Sequence, residues 1–184
     1  MKKCCFIGHR TIKNIDSVKQ KLFVVIENLI VNDNVDTFLF GSKSDFDYIC
    51  HLIVTELKEK YANIKRIAYT CKSESCVIES ERKKWEKIHS YIEKRDVHLL
   101  GVEEEYEHRT KYVAGKASYI ERNQALINDS DFCVFYYDPT YLPSRRKFSK
   151  KNIGDYQPNS GTKLAFEYAN KKNKTIINIK DLIN

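Results

Sequence analysis

Cys4-Cys5-Phe6-Ile7-Gly8-His9-Arg10 is a short apolar run that stops at a glycine, and Val18, Leu22, Val25, Ile26 and Leu29 follow it at helical spacing. This reads as strand, turn, helix, with Asp16 or Ser17 placed to cap the helix. The same unit recurs downstream. Residues 37–40 form a second strand ended by Gly41-Ser42-Lys43-Ser44-Asp45, and Phe46, Ile49, Cys50, Ile53, Val54 and Leu57 stripe a second helix. Residues 64–70 supply a third strand. Strands alternating with helices call for parallel pairing through right-handed crossovers, and so for an α/β, doubly wound, mainly parallel sheet with helices on both faces.

Beyond residue 71 the pattern loosens. Trp85, Ile88 and Ile92 suggest a charged amphipathic helix, 97–102 a fourth strand, and the acidic run 103–107 a solvated turn. Residues 112–128 read as helix, and 132–137 as the clearest strand of the chain. A long polar loop, 138–159, carries all three prolines and the basic run Arg145, Arg146, Lys147, Lys150 and Lys151. Ser160-Gly161-Thr162 opens a last helix, and 175–179 makes the last strand.

With 184 residues, 42% hydrophobic and 31% charged, the chain suits one globular domain, 1–184, and not a disordered one. Its net charge of +7 favours anionic partners, though the lysines are spread throughout. The six cysteines, at 4, 5, 50, 71, 76 and 133, include no C-x-x-C pair, which fits reduced thiols in a cytoplasmic setting. Cys71 and Cys76 with His89 or His98 lack a matching second pair for zinc, so neither a metal nor a cofactor is expected. No stretch approaches the ~18 apolar residues of a membrane span.

In an open parallel sheet, ligands bind beyond the carboxyl ends of the strands, where loops lead into helix N-termini. Three loops suit that edge: Gly8-His9-Arg10, Gly41-Ser42-Lys43-Ser44-Asp45 and Ser160-Gly161-Thr162. Small residues there let backbone N–H groups approach an anion, and the helix dipole favours negative charge. Asp45 and Asp47 could contact a ribose hydroxyl or cap the second helix. His9 could polarise or donate to a ligand, or anchor to backbone. Arg10 and Arg122 could clamp phosphate or pair with acidic neighbours. Of Tyr136 and Tyr137 only one can face a ligand if the strand is regular, with Tyr141 a further candidate to stack on a base.

Taken together, Phe6-Ile7-Gly8-His9-Arg10, Phe40-Gly41-Ser42-Lys43-Ser44-Asp45-Phe46-Asp47 and Tyr119-Ile120-Glu121-Arg122-Asn123-Gln124-Ala125-Leu126-Ile127 resemble the SLOG superfamily of Rossmann-like domains, and within it the YpsA-like family. Ser130-Asp131, Tyr136-Tyr137-Asp138 and Ser160-Gly161-Thr162 continue the likeness. It implies binding of a nucleotide or nucleotide-derived molecule, for sensing or sequestration, by Gly8, His9, Arg10, Gly41, Ser42, Lys43, Asp45, Arg122, Asn123, Tyr137, Ser160, Gly161 and Thr162. Relatives include the Lonely Guy phosphoribohydrolases, DNA-processing protein A and antiviral sensor domains. An N-glycosidase acting on nucleoside monophosphates is therefore an alternative, and nucleic-acid binding a second. Arg122 matches the arginine of the Lonely Guy enzymes. Lys163, Leu164 and Ala165 stand where those enzymes place their acid, which leaves Asp47 or the displaced Glu167 as the carboxylate such chemistry needs. Relatives of this kind also self-associate, so a homo-oligomer is expected.

Overall fold

The computed structural model describes residues 1–41, 44–71, 101–108, 116–143 and 158–183. Six strands form one all-parallel sheet: β1 (Lys2–Gly8), β2 (Val35–Phe40), β3 (Lys65–Cys71), β4 (Glu104–His108), β5 (Phe132–Tyr136) and β6 (Thr175–Asn178), in the spatial order β4-β3-β2-β1-β5-β6. Four helices accompany it among the described residues: α1 (Ile15–Val31), α2 (Asp45–Lys60), α3 (Lys116–Asn128) and α4 (Gly161–Lys171). A 3-10 turn, η1 (Ile179–Leu182), closes the chain. None of these helices is long and apolar enough to cross a membrane.

The two-residue period of the strands builds two cores. Cys4 and Phe6 of β1, Phe38 and Phe40 of β2, and Val134 and Tyr136 of β5 face α1 and α2. Their intervening neighbours Cys5, Ile7, Leu39, Cys133 and Phe135 face α3 and α4. Helices thus cover both faces, as the alternating pattern predicts. Phe6 is the centre of the first core, its ring 5.2 Å from Phe40 and 5.9 Å from Phe38. All five cysteines among the described residues are buried and free, and burial pushes the thiols of Cys4, Cys5 and Cys50 well up. Cys76, His89 and His98 lie outside the described residues.

Strand order reverses between β1 and β5. From β1 the chain winds outward through β2 and β3 to β4, then returns along α3 to place β5 on the other side of β1. The carboxyl ends of β1 and β5 therefore diverge into loops that leave in opposite directions, which opens a crevice there.

Several sequence expectations are corrected. The fourth strand is the acidic run Glu104–His108, not 97–102: Gly101 and Val102 lie in a turn, and 97–100 fall outside the described residues. An edge strand needs no apolar alternation, and its charges protect the open edge. Arg66 of β3 secures the turn before it, donating from its backbone N–H (2.7 Å) and from Nε and Nη2 (3.3 and 2.8 Å) to the Glu103 carboxylate, and also reaching the Gly101 carbonyl. Helix α1 starts earlier than Asp16 or Ser17. Its N-cap is Asn14, in the left-handed region at φ 54°, with no side-chain cap, so Asp16 and Ser17 lie within the first turn. The helix expected around Trp85, residues 112–115 of the helix expected over 112–128, and the basic run 145–151 lie outside the described residues.

Candidate functional site

At the reversal point a cavity of about 610 Å³ opens between the ends of β1 and β2, the N-termini of α2 and α4, and one face of α3. That volume suits a small organic ligand.

The β1 contribution depends on Gly8. A Cβ there would lie 2.4 Å from Cγ of Phe46, so the glycine lets the first turn of α2 pack directly onto the strand end. Gly8 is required for this close approach, and the α2 N-terminus is brought to the crevice by it. Backbone bonding continues the junction, with Asp45 N–H donating to the Arg10 carbonyl at 3.0 Å. Arg10 is exposed on the rim.

Helix α2 begins with a reciprocal cap. Ser44 Oγ accepts from Asp47 N–H at 3.0 Å, and the Asp47 carboxylate accepts from Ser44 Oγ at 3.2 Å and from Gly41 N–H at 3.4 Å. The cap is thus Ser44, supported by Asp47, and the exposed Asp45 stands outside the cavity lining. Asp47 is the one carboxylate among the described lining residues. Ser42 and Lys43 lie outside the described residues.

Arg122 of α3 forms the floor. It is 4% exposed, donates to Asn123 Oδ1 at 3.2 Å and lies 5.2 Å from the Tyr119 ring centroid. Gly41 leaves it room, because a Cβ there would come within 3.4 Å of the guanidinium. Asn123 and Tyr119 line the same wall. Tyr119, one helical turn from Arg122, reads in sequence as an ordinary apolar position; its i, i+3 spacing from the arginine is the signal that places both on one face.

Opposite lies α4. Ser160 caps it by accepting from Lys163 N–H at 3.0 Å, and Ser160, Gly161 and Thr162 all line the cavity. Among the described residues nothing lies within 4 Å of a Cβ built on Gly161, so none of them crowds the first turn.

His9 is buried and lines the cavity, with the Tyr141 ring tilted against it by 32° at 4.1 Å between centroids. Tyr136 and Tyr137 are placed elsewhere. Tyr136 packs on Phe46 in one core, and Tyr137 stacks at 4.6 Å on Phe166 of α4 in the other, so of these three tyrosines it is Tyr141 that lines the cavity. Glu167, 56% exposed and 3.9 Å from Lys163, also lies outside the lining.

An all-parallel sheet wound in both directions from β1, with a crevice at the reversal, is a Rossmann-like α/β arrangement. The profile of the YspA SLOG family (YpsA) matches residues 7–171, and the chain belongs to that family. Among solved structures it resembles DNA processing protein A from Helicobacter pylori, described for its single-stranded DNA binding mode, with a TM-score of 0.53 at 16% identity. The likeness covers 95% of this chain and 63% of that one, so this chain spans less than two thirds of its neighbour's length. No curated protein matches.

Proposed function

We propose that the crevice binds a nucleotide or nucleotide-derived small molecule, as a sensing or sequestering module, with the ligand's phosphate toward α4 and Arg122. The observation that carries this reading is the convergence of two capped helix N-termini and a buried arginine on one cavity. Its single described carboxylate is already engaged by backbone and by Ser44. Unsatisfied N–H groups at helix N-termini and a guanidinium all favour an anionic, acceptor-rich guest. Calorimetry with AMP, ATP, NAD and ADP-ribose, followed by mass spectrometry of the recovered compound, tests this: binding with intact recovery is expected, and no heat from the folded protein with any of them defeats it.

The glycosidase alternative draws on Asp47, whose carboxylate lies in the cavity. One of its oxygens accepts from Ser44 Oγ at the α2 cap and the other from Gly41 N–H after β2, which argues for a structural duty. Recovery of a free base, abolished in Asp47→Asn, would favour the enzyme instead. A nucleic-acid partner, by analogy with the structural neighbour, would produce a steep salt dependence.

A further inference from the structure

His9 follows Gly8 at the end of β1, and its backbone N–H donates to the Tyr136 carbonyl at 3.2 Å, extending the β1–β5 ladder by one bond. Its side chain is 2% exposed. Ring Nε2 lies 3.0 Å from the Asp138 N and 3.3 Å from the Asp138 O. A backbone amide can only donate, so the shorter contact requires a bare lone pair on Nε2 and puts the proton of the neutral ring on Nδ1. An imidazolium would set N–H against N–H. Burial also pushes the His9 pKa below its ordinary value, against the partial support of Asp138. Nδ1 is sealed from water and has no partner among the described residues, although the residue lines the cavity. Leaving a buried donor without an acceptor is costly, so its retention asks for an explanation.

The Asp138 N–H is itself held in place. The β5–β6 ladder ends at the pair Phe135 and Asn178, and the Asn178 side chain adds one more rung. Its Oδ1 accepts from Tyr137 N–H at 2.9 Å, and its Nδ2 donates to the Tyr137 carbonyl at 3.0 Å. The Tyr137 C=O and the Asp138 N–H belong to one trans peptide plane and point in opposite directions. Fixing the carbonyl on Asn178 therefore aims the N–H away from it, at His9. Asn178 is not among the residues lining the cavity.

We propose that Asn178 is a positioning residue that acts through this single peptide plane to hold His9 as an uncharged Nδ1–H donor, so that the ligand presents an acceptor oxygen there, as of a phosphate or carbonyl, and not a donor. The ligand half rests on the reading of the crevice as a nucleotide site; the Asn178–His9 relay does not. Among the described residues the ionisable groups around His9 are the Asp138 carboxylate, paired with Lys180 at 3.8 Å, the phenols of Tyr136, Tyr137 and Tyr141, and, lining the same cavity, Arg10, Asp47 and Arg122.

Two-bond proton–nitrogen NMR of the unliganded, nitrogen-labelled protein at pH 7 reads the tautomer directly. The wild type is expected to show His9 with Nδ1 protonated and Nε2 bare; protonation on Nε2, or on both, overturns the proposal. In Asn178→Ala the single-tautomer pattern is expected to be lost. Asn178→Asp, which keeps an acceptor for Tyr137 N–H but cannot donate to its carbonyl, is expected to lose it too and serves if the alanine variant does not fold. A folded variant with an unchanged His9 pattern removes Asn178 from the account. AMP added to the wild-type sample is expected to shift the Nδ1 resonance. No shift, with the tautomer as described, would sink the nucleotide reading and the acceptor assignment and leave the relay standing.

Discussion

Gly8 and Gly161 both line the crevice, yet they are glycines for different reasons. Under Gly8 the Phe46 ring fills the place of a Cβ, so Gly8→Ala must displace α2 or strain the strand end. Overpacking of this kind costs about 1–3 kcal/mol, to be read as a lowered melting temperature. At Gly161 a Cβ meets none of the described residues, so Gly161→Ala should leave stability unchanged within about 0.5 kcal/mol and obstruct only what enters the cavity. Arg122→Ala is expected to weaken nucleotide binding about ten- to hundredfold, the usual worth of a hydrogen bond to a charged group. His9 provides a pH signature. Its folded pKa lies below the ordinary 6.5, so the unfolded chain takes up the proton first. Stability is complete above pH 6.5 and declines as pH falls from there through the folded pKa. Urea titrations at pH 7.5 and 5.5 should register that decline, and His9→Gln, whose side-chain oxygen can accept from Asp138 N–H, should reduce it.

Among the elements, the turn before β4 carries the clearest electrostatic load. Burial opposes the charged form of Glu103, but the side-chain and backbone hydrogen bonds from Arg66, with the Arg66 and Lys58 charges, outweigh it and hold the carboxyl down to about 2. This folded pKa is depressed, so the pair's contribution is complete above the ordinary 4.5 and is lost as pH falls toward 2. Glu103→Gln is expected to cost about 1–3 kcal/mol at pH 7, because Arg66 is 8% exposed and would lose its charged partner. The gap between variant and wild type should narrow by pH 3 in the same denaturation assay. This strand was also the least legible in sequence. β1, β2, β3 and β5 announce themselves by apolar runs because two packed layers of helices bury both their faces. Glu104, Glu105 and Tyr106 form an exposed edge, so periodicity had nothing to report there. The α1 start escaped for a similar reason: Asn14 caps through backbone conformation and not through a side-chain bond.

At the scale of the molecule, the order β4-β3-β2-β1-β5-β6 turns five separate sequence segments into one crevice. The loops after β1 and β2 and the opening of α4 were readable as elements of the candidate site, because glycine and serine at strand-to-helix junctions have a known use. What could not be read was the division of labour inside them. Asp47 serves the cap, Tyr137 packs on Phe166, and Asn178 reaches His9 only through backbone, all matters of tertiary placement. Binding of a nucleotide through one or two phosphates, as proposed, predicts a shallow salt dependence of its affinity between 50 and 200 mM salt, where about six to ten phosphate contacts along a nucleic acid would cost it about 10³–10⁵-fold. The central claim is tested most directly by calorimetric titration of wild type and Gly161→Ala with the same nucleotide panel, the recovered compounds being weighed by mass spectrometry. The account predicts that one nucleotide class binds the wild type, returns intact, and binds the equally stable variant at least tenfold more weakly. A folded wild type that binds none of them, or a variant that binds as well as wild type, would contradict it.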